Sequence, residues 1–146
     1  MNSYGRLIRR ATLVLLAFGL LAASTAYAQN PRTSIVQKAA RDWLALVDGL
    51  DVEASWKAAG PRFQQAITVA QWANGMRLER EPRGAIVTRT ITATSFGNTF
   101  NGVPENGEFA LVKFRSSFAK RPEAEEHVSL ELGADGTWRV IGYVIL

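Results

Sequence analysis

Residues 85–96 read AIVTRTITATSF, and the spacing of apolar side chains changes at this stretch. Upstream, apolar residues return every three or four positions. Within it, β-branched residues are dense and the period becomes two, which predicts a β-strand. The stretch divides the chain into a helix-forming first part and a sheet-forming second part.

Working upstream, Asn30-Pro31 predicts a helix start, with a capping side chain followed by proline at the first helical position. Ile35, Val36, Ala39, Ala40, Trp43, Leu44 and Val47 form one apolar face, and Asp48-Gly49 ends it. A second helical stretch carries Val52, Trp56 and Ala59, is interrupted at Gly60-Pro61, and continues through Phe63, Ala66 and Ile67. Thr68 and Gln71 match a capping box for a third helix, whose predicted buried face is Val69, Trp72, Ala73 and Met76. Asn74-Gly75 weakens this helix by about 1 kcal/mol relative to alanine. Pro82 and Gly84 close the helical half.

Working downstream, residues 97–107 are rich in Gly, Asn and Pro and predict a loop. Strands are predicted at 108–118, 125–132 and 137–145, with a turn over 119–124 and a hairpin at Ala134-Asp135-Gly136. Three helical units followed by four strands predict an α+β domain, its antiparallel sheet joined by hairpins and packed on the N-terminal helices. Trp43, Trp56, Trp72 and Trp138 supply the largest side chains for a shared core.

The first 28 residues have another character. Arg6, Arg9 and Arg10 precede an apolar run from Ala11 to Ala23, and Ala26-Tyr27-Ala28 offers small residues where a signal peptidase reads. This predicts a secretory signal cleaved between Ala28 and Gln29, leaving residues 29–146 as one periplasmic domain. The run is too short for a spanning helix of about 20 residues, so membrane contact is expected during export only. Arg9-Arg10 also suggests a twin-arginine signal, but the following residues fit that motif poorly, which favours the general secretory route. The whole chain has 17 Lys+Arg against 13 Asp+Glu in 146 residues; without residues 1–28 the balance is 14 against 13. A near-neutral domain lacks the electrostatic footprint of a nucleic-acid binder. The absence of cysteine excludes disulfides, thiolate metal sites and cysteine nucleophiles.

The run Trp43-Leu44-x-Leu46-Val47-Asp48, then Ser55-Trp56 and Trp72, resembles the helical half of the bacterial DUF4019 family, a domain of unknown function. The second half resembles it too. Arg83-Gly84, Arg89, Gly107-x-Phe109, Phe114-x-Ser116-Ser117-Phe118 and Glu126-x-Val128-x-Leu130 carry the likeness, which ends on Asp135-Gly136-x-Trp138-Arg139-Val140-x-Gly142-Tyr143. One departure is Pro104-Glu105-Asn106-Gly107, a residue longer than the family's Pro-Asp-Gly. The resemblance implies a cystatin-like or nuclear-transport-factor-like cone, with a curved four-stranded antiparallel sheet around the helices. It implies no established reaction.

Several residues are candidates for a site. Arg89 shares its predicted strand face with Val87, Ile91 and Ala93, where an unpaired charge is costly. It is either an anion-binding residue in the mouth of the cone or the centre of a structural ion pair with Asp48 or Glu126, and the ion pair is favoured. Asp48 ends the first helix, where its carboxylate opposes the helix dipole and needs compensation. By fold analogy alone, Asp48 and Tyr143 form a candidate acid–base pair. His127 is the only histidine, which argues against a zinc site. Asp48, Asp51 and Glu53 do not fit a calcium-loop spacing. Neither a metal nor a cofactor is expected. Lys113, Arg115, Glu131 and Arg139 mark the outer sheet face. Ile141, Tyr143 and Ile145 would join them if Val140 and Val144 point inward, making a candidate dimer surface. These features favour a non-catalytic periplasmic module that binds a small ligand or a protein partner. The alternatives are a small isomerase- or hydrolase-like enzyme using Asp48 and Tyr143, and a homodimeric structural or stress-associated protein.

Overall fold

The computed structural model describes residues 30–146, so the predicted signal segment and the expected Ala28–Gln29 cleavage point lie outside the described residues. Helix α1 spans Pro31–Asp48, capped by the Asn30 side chain. Helices α2 (Val52–Ala58) and α3 (Pro61–Ala66) follow, then α4 (Val69–Gly75). Gly60-Pro61 separates α2 from α3, so four short α-helices replace the three expected units. The capping box at Thr68 and Gln71 is present in both directions. From α4 the chain runs on without a break into a π-helical turn, Met76–Arg80, and a 3-10 turn, Glu81–Arg83. Gly84 then turns into the sheet with a φ of 76°, a region that side chains with a Cβ rarely enter.

The sheet is an antiparallel meander in the order β1-β2-β3-β4, with β1 Ile86–Gly97, β2 Phe109–Phe118, β3 Arg121–Leu132 and β4 Trp138–Ile145. Strand β3 begins four residues earlier than expected. Pro122 had marked a turn, but Pro122 and Glu123 lie opposite Ser117, where the register shifts and a missing N–H is tolerated. The loop between β1 and β2 is held by a Phe100–Val103 bridge and by the Gly107 N–H donating to the Asn98 carbonyl at 3.0 Å.

Register shifts also correct the predicted faces. On β1 they fall at Val87 and Thr92. Arg89 and Ile91 therefore stay on the helix side, while Val87 is 63% exposed and Ala93 is exposed. On β4 the shift falls at Ile141: Val140 pairs with Leu130, yet Tyr143 pairs with Val128 and Ile145 with Glu126. The extra residue reverses the alternation, since each residue in a strand points opposite to the last. Tyr143 and Ile145 consequently face the core side and Val144 faces out. The expected outward stripe of Ile141, Tyr143 and Ile145 does not exist. These bulges increase local twist and curve the sheet around the helices.

The core joins Val36, Ala40, Trp43, Leu44 and Val47 of α1 to Val112, Phe114, Val128, Leu130 and Val140 of the sheet. Trp72 and Trp138 belong to it, and Trp56 packs at its margin. Three residues of the predicted helix faces, Ile35, Ala66 and Val69, are exposed instead. Buried Ser55 organises the tryptophans: its carbonyl accepts from Trp43 Nε1 at 2.8 Å and its hydroxyl from Trp72 Nε1 at 2.9 Å.

The capping box fixes where α4 begins and so where Trp72 lies. Thr68→Ala should cost roughly 1 kcal/mol and lower the melting temperature by about 4 °C. An unchanged thermal melt would show that tertiary packing alone sets this helix start.

Candidate functional site

Four charged side chains from four segments meet beneath the end of α1. Asp48 comes from its last turn, Arg80 from the π-helical turn, Arg89 from β1 and Glu126 from β3. The Arg89 guanidinium is shared between two carboxylates. Nη1 and Nη2 donate to Asp48 at 2.6 and 3.0 Å, while Nε and Nη2 donate to Glu126 at 2.7 and 3.1 Å. Asp48 Oδ1 also accepts from Arg80 Nη2 at 3.1 Å, and Arg80 Nη1 donates to the Gly84 carbonyl at 2.6 Å. Glu126 further accepts from the Tyr143 hydroxyl at 2.5 Å and from the Ser116 hydroxyl.

The group is charge-balanced, with two guanidinium groups against two carboxylates. It is also secluded: Glu126 is 0% exposed and the Arg80 side chain 3%. Such charges survive out of water only when paired and hydrogen-bonded. Burial works to lower the Arg89 pKa, but the hydrogen bonds and charges of Asp48 and Glu126 outweigh it and hold the group above its ordinary value. Burial, then the Glu126 charge and hydrogen bond, push the Tyr143 hydroxyl well above its ordinary 10.0. Tyr143 is thus a fixed, neutral donor.

The π turn explains how Arg80 arrives here. In a continuous α-helix, residues 72, 76 and 80 drift around the axis. The wider π turn, closed by the Glu81 N–H on the Met76 carbonyl, takes back that drift. Trp72, Met76 and Arg80 are all buried as a result. The Arg80 guanidinium lies over the Phe118 ring at 4.6 Å, and its Nε is buried without a partner.

The rest of the interior is filled by aromatic rings. Trp43 touches Trp72 at 5.7 Å, Tyr143 at 5.3 Å and Phe63 at 6.1 Å between ring centres. Space remains at one rim, a cleft of about 230 Å³ lined by Trp72, Gly75, Met76, Arg80, Tyr143 and Ile145, with Glu79 and Val144. Gly75 is part of the lining, and a Cβ added there would meet nothing within 4 Å. A larger hollow of about 720 Å³ on the outer sheet face lies between Thr88, Arg115, Ser117, Glu123 and Glu125. Its charges are exposed to competing water, which makes contacts there weak.

The structure brings Asp48, Arg89 and Glu126 together, and adds Tyr143 through Glu126. Asp48 and Tyr143 do not meet as a pair: Tyr143 reaches the cleft, and Asp48 does not line it. Trp72 is at the cleft, while Trp138 packs at the other end of the sheet against Phe96 and Arg32. His127 pairs with Glu125. Asp51 caps α2 through the Ala54 N–H at 3.0 Å, and Glu53 pairs with Lys57. No cluster of metal-ligating residues occurs among the described residues. The sequence reading did not single out Arg80, and it named Ser116 and Gly75 without a place in the site. A signal for Arg80 was available, because it continues the Trp72–Met76 spacing.

Fold and site together define a small α+β domain, a curved antiparallel meander closed by helices and pinned by a buried charge cluster. The chain belongs to the DUF4019 family, described as a protein of unknown function, whose sequence profile matches residues 39–143. No curated protein matches the chain. A solved 2.5 Å structure from Catenulispora acidiphila is similar with a TM-score of 0.52 and 16% identity, covering 82% of this chain and 94% of that one. At that identity the likeness concerns the fold.

Removing Arg89 would leave buried Glu126 without a counter-charge and Asp48 with Arg80 alone. Arg89→Ala should destabilise the domain by about 3–5 kcal/mol in urea unfolding, and a loss below about 1 kcal/mol would contradict a stabilising role. Tyr143 is the single tyrosine of residues 29–146, so a spectroscopic titration reads it alone. Its raised folded-state pKa leaves stability intact below pH 10 and reduces it as pH rises further, because the unfolded chain then releases a proton that the folded one keeps. Tyrosinate absorbance should therefore appear together with unfolding; its appearance near pH 10 in the folded domain would contradict this burial.

Proposed function

We propose that this protein is an exported, non-catalytic binding module whose ligand site is the cleft between the α4–π segment and β4. The observation that carries the reading is Gly75. Glycine inside a helix costs about 1 kcal/mol relative to alanine, and this one has a helical backbone with open space where a side chain would go. Neither backbone conformation nor close packing calls for it. Open space at Gly75, in a cleft also lined by Trp72, Met76 and Tyr143, fits a ligand. The charge cluster behind the cleft supplies a rigid base. Both Asp48 oxygens are engaged and the Tyr143 proton is committed to Glu126. That favours binding over proton transfer.

The charged start, apolar run and Ala26-Tyr27-Ala28 support delivery to the periplasm through the secretory route. Protein recovered from the periplasmic fraction should begin at Gln29. Retention of residues 1–28 on a membrane-bound form would contradict that reading.

The cleft is tested by closing it. Gly75→Ala should raise stability by up to about 1 kcal/mol. Gly75→Phe should fold and abolish binding of small apolar molecules followed by tryptophan fluorescence. Equal binding before and after this substitution would overturn the site.

A further inference from the structure

We infer that the ligand of this cleft is a compact, flat, uncharged ring bearing an amide-type edge, an N–H next to a C=O, that pairs with the free backbone edge of β4. The inference rests on the cleft being a binding site, and three observations narrow the ligand.

The first is the state of the polar side chains. Trp72 Nε1 donates to Ser55 at 2.9 Å, the Tyr143 hydroxyl to Glu126 at 2.5 Å, and the Arg80 amino groups to Gly84 and Asp48. The remaining Arg80 nitrogen, Nε, is buried and offers no surface to a ligand. The Arg80 charge is already balanced by Asp48 and Glu126. At the rim, Glu79 would repel an anion, while its pairing with Arg83 at 3.4 Å leaves it a weak anchor for a cation. The side chains therefore present an apolar, aromatic surface suited to an uncharged ligand.

The second is the edge itself. Tyr143, Val144 and Ile145 all line the cleft, although consecutive strand side chains point to opposite faces. The cleft must therefore run along the strand's backbone. β4 is an edge strand. Glu125 and Leu146 exchange both backbone hydrogen bonds, at 3.2 and 2.8 Å. Alternation along an antiparallel pair then turns the N–H and C=O of Tyr143 and Ile145 away from β3, toward the cleft. Farther up the strand the corresponding Val140 carbonyl is already taken, accepting from the Gly60 N–H at 2.7 Å. The outward donors and acceptors of Tyr143 and Ile145 therefore border the cleft. A ring with adjacent N–H and C=O groups can satisfy both backbone groups of one residue, as a neighbouring strand would.

The third is size. About 230 Å³ lies below the range of roughly 300–1,000 Å³ of drug-sized sites, so the space suits a single ring. A flat ring can lie in the gap left by Gly75, against Trp72 and Met76.

The probes are 2-pyridone, N-methyl-2-pyridone, toluene and benzoate, each titrated into the domain of residues 29–146 with backbone amide resonances followed by NMR. 2-Pyridone should shift the Tyr143 and Ile145 amides and bind up to about tenfold more tightly than its N-methyl form, which lacks the donor. Gly75→Phe should abolish that binding, with Gly75→Leu used if the phenylalanine variant does not fold. Equal affinity for the two pyridones, or tighter binding of toluene or benzoate, would overturn the amide-edge assignment while leaving the cleft as a site. Failure of every probe to saturate, or binding that survives the Gly75 variants, would overturn the cleft reading as well.

Discussion

Glu126 is the point on which the molecule depends. It is a carboxylate with no exposure to solvent, and each of its partners comes from a different strand: Arg89 from β1, Ser116 from β2 and Tyr143 from β4. Through Arg89 the connection extends to Asp48, and from there to Arg80. One secluded negative charge thus sets the spacing of four strands, the end of α1 and the π turn. Replacing the whole group by apolar residues of similar volume need not cost stability, whereas removing a single member leaves its partners uncompensated. Such a group demands one arrangement: any register in which Tyr143 or Arg89 faces outward strands Glu126.

Much of this was legible in the sequence. The change of period at residue 85, the cap at Asn30 and the box at Thr68 are local signals, and local signals place helices and strands. The need for a partner at Arg89 was visible because a guanidinium among apolar neighbours on a strand must be answered. What the sequence hid is the work of single inserted residues. Val87, Thr92 and Ile141 look like ordinary strand residues, and nothing in their chemistry marks a bulge. Whether a strand absorbs an extra residue depends on the strand it pairs with, so the inward turn of Tyr143 follows from pairing with β3 rather than from the pattern of β4. Arg80 was obscured in the same way, since a π turn is set by what lies beneath it.

The filled interior and the remaining cleft are two results of one packing. Trp43 and Trp72, both tied to Ser55, occupy the space a hollow cone would have offered. Trp72 also forms a wall of the small volume left at the rim. The buried charges behind that wall hold Tyr143 in one orientation, so its ring is a fixed surface. A site whose polar side chains are all committed elsewhere discriminates by shape and by the few backbone groups it leaves free.

The two borders of the sheet are unequal, and this governs how copies could join. The outer border at β1 is interrupted by two bulges, which disturb the straight row of donors and acceptors that strand addition needs. The β4 border is interrupted at Val140, whose carbonyl accepts from the Gly60 N–H. Growth of a filament requires two complementary borders on every subunit, one to receive and one to be received. Both borders of this domain are broken, β1 by its bulges and β4 at Val140, so neither offers the uninterrupted row along which strand could be added to strand.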